Sequence, residues 1–476
     1  MGSSFGGVIF RFRFLNKGKP EKARRTAGKP VILSAGQNLT RPAERRRNIT
    51  CQILAGASSI LSTLPQNPPM PLTIGLIREG KTPPDKRVAL TPKKCIEALA
   101  SFPGLRVVVQ SSAVRSYTDE EYRDLGLEVR DDLADCDVLL GVKEVPPAQL
   151  IPNKTYLFFS HTVKKQPANR NLLREVLKKN ITLIDYELLT NARSERIVAF
   201  GRYAGIVGAY NGLLTYGRKH ELFALKPAHE CLDMDDMQEE FFKVKKLPPI
   251  KMAVTGSGRV AQGALEVLNR MGIRQVSVYD YLYHDFNEPV YAQLHSSDYN
   301  RRRDGRVWDT ADFHKNPQEY ESTFGNFLPV TDLLIACAYW HPAAPRLFAE
   351  ADTRRPDFRI NTIADVTCDV NGSVPTTKRS STIAEPAFDY NPATGELEPP
   401  YSRPTNITEM AVDNLPCELP RNASRDFGRQ LIDKVLPHLL GDDAEGVIAR
   451  ATIAKNGALT ERYQYLADYV AEATTA

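Results

Sequence analysis

Ile250-Lys251-Met252-Ala253-Val254-Thr255-Gly256-Ser257-Gly258-Arg259-Val260-Ala261 sets an apolar strand, a glycine turn and a helix start in immediate succession. The spacing of Gly256, Gly258 and Ala261 matches G-x-G-x-x-G/A. Glycines at those places permit a tight turn and close approach of the backbone, and the helix N-terminus offers amide donors to a pyrophosphate. An ordinary strand-to-helix turn uses glycine too, so the surroundings must decide. Helix Val260–Met271 follows, then a strand over Gln275–Tyr279, and Asp280 falls 24 residues after Gly256 at the end of that strand. A carboxylate there accepts hydrogen bonds from adenosine ribose hydroxyls and repels a 2′-phosphate, so the expected cofactor is NAD, with NADP the alternative. A helix cap or a solvated strand end is the plainer reading of Asp280. Arg259 suits either the pyrophosphate or a 2′-phosphate.

Outward from this turn, further strands are expected at Leu333–Cys337 and Arg359–Asp365. A polar insert, 281–330, is much longer than a usual connection. On the N-terminal side, Thr73–Ile77, Arg106–Gln110, Asp137–Val142, Thr155–Ser160 and Thr182–Tyr186 read as short buried strands. Pro92–Ser101, Asp119–Leu125 and Asn169–Lys179 read as the helices between them. The alternation predicts an α/β protein of two Rossmann-like domains with parallel sheets and the active site in the cleft between them. Residues 70–215 with about 405–445 form the substrate domain, 246–400 the dinucleotide domain, and 446–476 a helical tail. Ala204–Tyr216 is expected to be a helix whose small residues allow close packing, and the amphipathic helix within Asn414–Leu440 is placed back on the first domain.

Charge and cysteine usage exclude other classes. The formal charge is +5, but residues 1–69 carry 12 basic and two acidic residues, so the remainder holds 50 basic and 55 acidic, a net −5. An acidic body lacks the basic face that nucleic acid requires, and no nucleic-acid partner is expected. No apolar run reaches the roughly 20 residues of a bilayer span. The seven cysteines are scattered without C-x-x-C, which argues against a zinc site or disulfide framework and for a reducing, cytoplasmic setting. The Arg-rich leader 1–69 reads as a disordered segment, akin to a transit peptide or a mis-called start with Met70 as the first residue of the folded chain.

Three groups stand where α/β proteins place chemistry. Lys143 follows the strand ending Gly141-Val142, His161 follows Phe158-Phe159-Ser160, and Arg87 lies in the loop after the first strand. By position alone, a solvated lysine and a satisfied core histidine are the default readings. Burial lowers a lysine pKa toward neutrality, where it exchanges protons, and an arginine clamps carboxylates bidentately.

Arg87-Val88-Ala89-Leu90-Thr91-Pro92 and Gly141-Val142-Lys143-Glu144 resemble the alanine dehydrogenase and transhydrogenase superfamily. Phe158–Gln166, Leu183–Glu187, Val198–Gly205 and Val412–Pro420 resemble its saccharopine dehydrogenase branch, and Pro317–Tyr320 with Ala338–Trp340 resembles lysine-ketoglutarate reductases. The resemblance implies that Lys143 and His161 are catalytic, that Arg87, Gln166, Arg196 and Phe200 contact substrate, and that Glu144 and Glu187 tune the charge of the lysine. It places Tyr339, Ala364, Asp365, Val412, Asp413, Asn414 and Leu415 beside the cofactor, with Gly256, Gly258, Arg259, Val260 and Asp280. It implies reversible conversion of saccharopine, NAD and water to lysine, 2-oxoglutarate and NADH, an oxidoreductase of lysine metabolism and amino-acid biosynthesis with no metal. An alanine dehydrogenase-like enzyme and an NADPH-dependent reductase are the alternatives. Glu195 stands where fungal relatives carry a second arginine, and the chain ends near the reductase boundary, so the expected chemistry stops at saccharopine.

Overall fold

The computed structural model describes residues 72–471; the leader 1–69 and the start at Met70 lie outside them. β1 (Thr73–Leu76), β2 (Arg106–Gln110), β3 (Glu128–Arg130), β4 (Val138–Leu140), β5 (Thr155–Phe158) and β6 (Thr182–Asp185) are all parallel, in the order β3-β2-β1-β4-β5-β6. Such strands are covered on both faces, which explains why they read as unbroken apolar runs. Helix Pro92–Ser101 starts where the Thr91 hydroxyl accepts the Lys94 amide and proline takes the first turn. It buries Cys95 and Ala98 in one core with Phe427, Leu431 and Ile432 of helix Pro420–Lys434, so the later helix returns to the first sheet as expected.

The second sheet holds β7 (Lys251–Thr255), β8 (Arg274–Gln275) and β9 (Val290–Leu294), and then, beyond the separate hairpin β10 (Asn300–Arg302) and β11 (Tyr320–Ser322), β12 (Leu333–Ala336) and β13 (Thr362–Asp365). β14 (Ala387–Tyr390), β15 (Leu397–Glu398) and β16 (Ile407–Met410) complete it in the order β8-β9-β7-β12-β13-β16-β14-β15. Among the described strands of this sheet β14 alone runs against the others, pairing antiparallel with β16 on one side and β15 on the other. The α/β architecture of two largely parallel sheets is therefore as expected.

Three expectations change. The strand expected at Gln275–Tyr279 is two residues long. Ser277 accepts the Asp280 amide and caps helix Val278–Tyr283, so the local hydroxyl signal overrides the alternating Val276, Val278 pattern. The strand that pairs with β7 on the side away from β12 is β9, inside the stretch read as insert. Second, helix Gly201–Lys219 belongs to the second core, packed with Leu333, Ile335, Ala364 and Met410, and β16 lies in the second sheet, so neither is part of the substrate domain. A Cβ on Gly205 would lie 1.8 Å from the Val260 carbonyl oxygen, and one on Gly263 2.0 Å from that of Arg202. Helices 201–219 and 259–270 thus meet backbone to backbone, the close packing that the small residues predicted. Third, the tail is not only helical. β17 (Thr452–Lys455) pairs antiparallel with β6, and β18 (Ala458–Leu459) extends it, closing an edge that would otherwise stay open.

Candidate active site

The loop after β1 and the exit of β4 are joined by one carboxylate. Glu79 accepts the Val142 amide at 2.7 Å and the Lys143 amide at 2.8 Å, one on each oxygen. Burial, with the Asp85 carboxylate nearby, pushes the Glu79 carboxyl up to about 8. Sequence reading missed Glu79. Its signal was Arg78-Glu79-Gly80 directly after an apolar strand, the same placement that singled out Lys143.

Lys143 is half-buried, and burial together with Arg87 and Lys81 lowers its pKa. His161 leaves β5 in the left-handed region at φ 53°, a conformation disfavoured for a side chain with Cβ. Its Nδ1 sits 2.5 Å from Glu144 Oε1, and the other Glu144 oxygen accepts from Lys81 Nζ at 3.2 Å. Against the upward push of burial, the His161 bond, a backbone amide and Lys81 hold Glu144 at about 2, an anion between the two predicted catalytic groups. Adjacent parallel strands β4 and β5 bring Lys143 and His161 to one end of the sheet.

Arg87 is buried, and Asp85 occupies the Nε–Nη2 edge at 3.0 and 2.6 Å. Against burial, Arg87 keeps Asp85 well below the usual carboxylate range. Nη2 also donates to Asn414 Oδ1 at 3.2 Å, and the guanidinium lies 4.2 Å from the Phe200 ring centre. The free bidentate clamp expected at Arg87 is corrected: Asp85 holds that edge, and Arg87 links the first domain to segment 414–417. Burial pushes the Cys417 thiol up to about 12, leaving it a neutral donor to Asp85 at 3.1 Å.

Glu187 Oε1 faces Lys164 at 3.4 Å and Arg196 at 3.5 Å. Arg196 is partly exposed and lies 5.8 Å from the Phe159 ring centre. The Gln166 side chain is exposed and turned to Asn169 at 3.4 Å. Phe200 stacks on Phe427, with centroids 4.4 Å apart. Next to it, Gly201 approaches the side chains of Arg259 and Val260, which ties this site to the glycine turn.

That turn opens on a cavity of about 470 Å³ lined by Gly256–Val260, the His295–Ser297 stretch after β9, and Ala338–His341 after β12. Gly256 has φ +99°, and a Cβ there would crowd Ala338; at Gly258, the N-cap of helix Arg259–Arg270, a Cβ would meet open space. A bare helix N-terminus beside open space fits a dinucleotide pyrophosphate. Tyr339 is on this rim, 85% exposed. Asp280 is not: it is exposed in helix Val278–Tyr283, bonded to Ser277 and His284, and the residues that line the cavity after the strand beside β7 are His295, Ser296 and Ser297. Ala364 packs against Gly212 in the core, and Asp365 is buried, accepting from Thr367 and Thr377, so neither lines the cavity. Val412 and Leu415 are buried, Asp413 is exposed, and Asn414 faces Arg87.

The fold is an α/β architecture of two largely parallel sheets, with a dinucleotide-type turn at the end of β7 in one and the Lys143–His161 pair at the strand ends of the other. The family described as Alanine dehydrogenase/PNT, N-terminal domain, matches residues 75–207. The mouse protein alpha-aminoadipic semialdehyde synthase, mitochondrial, is 31% identical over 446 residues, covering 83% of this chain and 47% of that protein. A saccharopine dehydrogenase [NAD(+), L-lysine-forming] of Candida glabrata is 23% identical over 387 residues, covering 76% of this chain and 91% of that one. An L-alanine dehydrogenase structure superposes with a TM-score of 0.58 at 16% identity, covering 84% of this chain and all of that one. The chain is similar to saccharopine dehydrogenases and to the semialdehyde synthases, and its fold is similar to that of an alanine dehydrogenase. It spans about half the length of the mouse relative.

Proposed function

We propose that the protein is a pyridine-nucleotide oxidoreductase that joins lysine to 2-oxoglutarate, forming saccharopine, and reverses that reaction. The observation that carries the reading is that Lys143 and His161 come to the same end of one sheet, with Glu144 bonded to His161 and Glu79 holding the Lys143 backbone. The 31% relative supports it through its printed name, which is that of a semialdehyde synthase.

A bound nicotinamide supplies the hydride acceptor or donor. The chain's own residues handle protons and charge. Lys143, with its pKa lowered, takes the proton of the secondary amine in the oxidative direction. His161, paired with anionic Glu144, serves the proton transfers of imine hydrolysis. In the synthetic direction both roles reverse. The substrates are rich in carboxylates, and Arg196, which contacts Glu187 at 3.5 Å and lies over the Phe159 ring, is the cation best placed to meet one. Arg87 acts from behind by fixing Phe200 and Asn414.

The NAD preference expected from Asp280 loses its basis, because no aspartate or glutamate lines the cavity. We infer that NADPH is accepted as well as NADH. No helix among the described residues is long and apolar enough to cross a membrane. Six cysteines among the described residues are free thiols, which supports a reducing compartment, with the cytoplasm as our reading. The test of function is an assay with 2-oxoglutarate and each reduced cofactor, given lysine or ammonia. Turnover with lysine supports the proposal, and turnover with ammonia alone would favour an alanine dehydrogenase-like enzyme.

A further inference from the structure

The dinucleotide cavity has a wall that the glycine motif does not supply. After β9 the chain leaves the second sheet, forms the β10–β11 hairpin, and returns at β12. Trp308, Phe313 and His314 of this excursion line the cavity together with Tyr339 and Trp340.

The rings are held in place before any ligand arrives. Trp308 packs on Phe313 with centroids 4.8 Å apart and on Tyr320 at 5.3 Å, and its indole N–H donates to Thr310 at 3.1 Å. Tyr320 is fixed in turn by its hydroxyl, which donates to Asp312 at 2.7 Å, and by the Arg302 guanidinium 5.6 Å from its ring centre. Arg302 pairs with Asp304 and Asp312. An aromatic shelf on a rigid, ion-paired base presents flat apolar area at little cost in conformational entropy.

Its position says which ligand half it meets. The cavity runs from the glycine turn to the end of β9, the adenosine side of such a crevice, and neither Lys143 nor His161 lines it. Apart from Arg259 at the glycine turn, its lining of aromatic rings and small polar side chains includes no aspartate, glutamate or lysine, which suits a neutral heterocycle away from that turn. We propose that the 300–322 excursion forms the adenine subsite of this protein, with Trp308 as the ring on which the base stacks. This rests on the reading of the cleft as a nicotinamide dinucleotide site.

The two tryptophans of the chain, Trp308 and Trp340, both line the cavity, so intrinsic fluorescence reports its occupancy. Full-length wild type, Trp308→Ala and Trp308→Phe are titrated calorimetrically with ADP-ribose and with reduced nicotinamide mononucleotide, which lacks the adenine half. Loss of a base stack weakens ADP-ribose by about five- to a hundred-fold in Trp308→Ala. Trp308→Phe retains most of the affinity, and the mononucleotide binds all three alike. Equal ADP-ribose affinity in wild type and Trp308→Ala overturns the assignment, as does a loss shared equally by the mononucleotide. Failure of the functional reading looks different: Trp308-dependent ADP-ribose binding would persist in a protein that turns over neither reduced cofactor.

Discussion

The Glu79 carboxylate receives the backbone N–H of Lys143 at 2.8 Å, so a residue 64 positions earlier in the chain sets where the predicted catalytic lysine leaves its strand. Val142 donates to the other oxygen, and the two bonds fix the local backbone rather than the ammonium. Glu79→Ala removes both acceptors. Displacements near 1 Å at a reacting group cost on the order of 10²-fold, so turnover is expected to fall by about ten- to a hundred-fold with cofactor affinity unchanged. Glu79→Gln, which keeps one acceptor, should recover part of that loss. Equal kcat in Glu79→Ala and wild type would remove Glu79 from the site.

The second sheet stores a proton. The Thr377 hydroxyl contacts both Asp365 and Glu409, yet it carries a single hydrogen, so one carboxyl must donate back to it. Burial, with Asp365 beside it, pushes Glu409 from 4.5 up to about 8. Its folded pKa is above its unfolded one, so the folded state binds the extra proton between about 4.5 and 8 and loses stability as pH rises through that window. Glu409→Gln cannot ionise. Denaturant melts at pH 6 and pH 8.5 should show a smaller pH-dependent loss in the variant; an unchanged loss would place the proton elsewhere.

Gly205→Ala probes the helix crossing. A methyl 1.8 Å from the Val260 carbonyl oxygen forces the helices apart, with a cost at or above the ~3 kcal/mol upper range of ordinary overpacking. Thermal unfolding reports it. A variant as stable as wild type would show that helices 201–219 and 259–270 do not meet at this glycine.

Cofactor discrimination separates two placements of the ribose. Asp280→Ser should leave the NADH to NADPH ratio of kcat/KM unchanged, because Asp280 is exposed on helix Val278–Tyr283. Ser297→Glu, at the end of β9, should disfavour NADPH by about 1–3 kcal/mol through a carboxylate facing the 2′-phosphate. The opposite pattern would restore Asp280 to the site.

Much of this arrangement was legible in the chain. Strands such as Arg106–Gln110 and the glycine turn read correctly, because buried parallel strands are unbroken apolar runs and a turn with positive φ demands glycine. Lys143 and His161 drew notice because each follows such a strand, and their expected roles came from the resemblance to saccharopine dehydrogenases. What was hidden depended on partners remote in sequence. Val290–Leu294 becomes a central strand only by pairing with β7, while Val276-Ser277-Val278 looks more strand-like by alternation but yields to a serine cap. Glu79 and Asp85 bear on the site through contacts with Lys143 and Arg87 that no local pattern encodes.

The central claim is that Lys143 exchanges protons with the substrate amine. Its most direct test is steady-state turnover of lysine, 2-oxoglutarate and a saturating reduced cofactor by wild type and Lys143→Met. A lost general acid–base group depresses kcat by roughly 10²–10⁴-fold, with cofactor binding intact on the separate second sheet. Near-normal kcat in folded Lys143→Met would contradict the account and return Lys143 to a structural role.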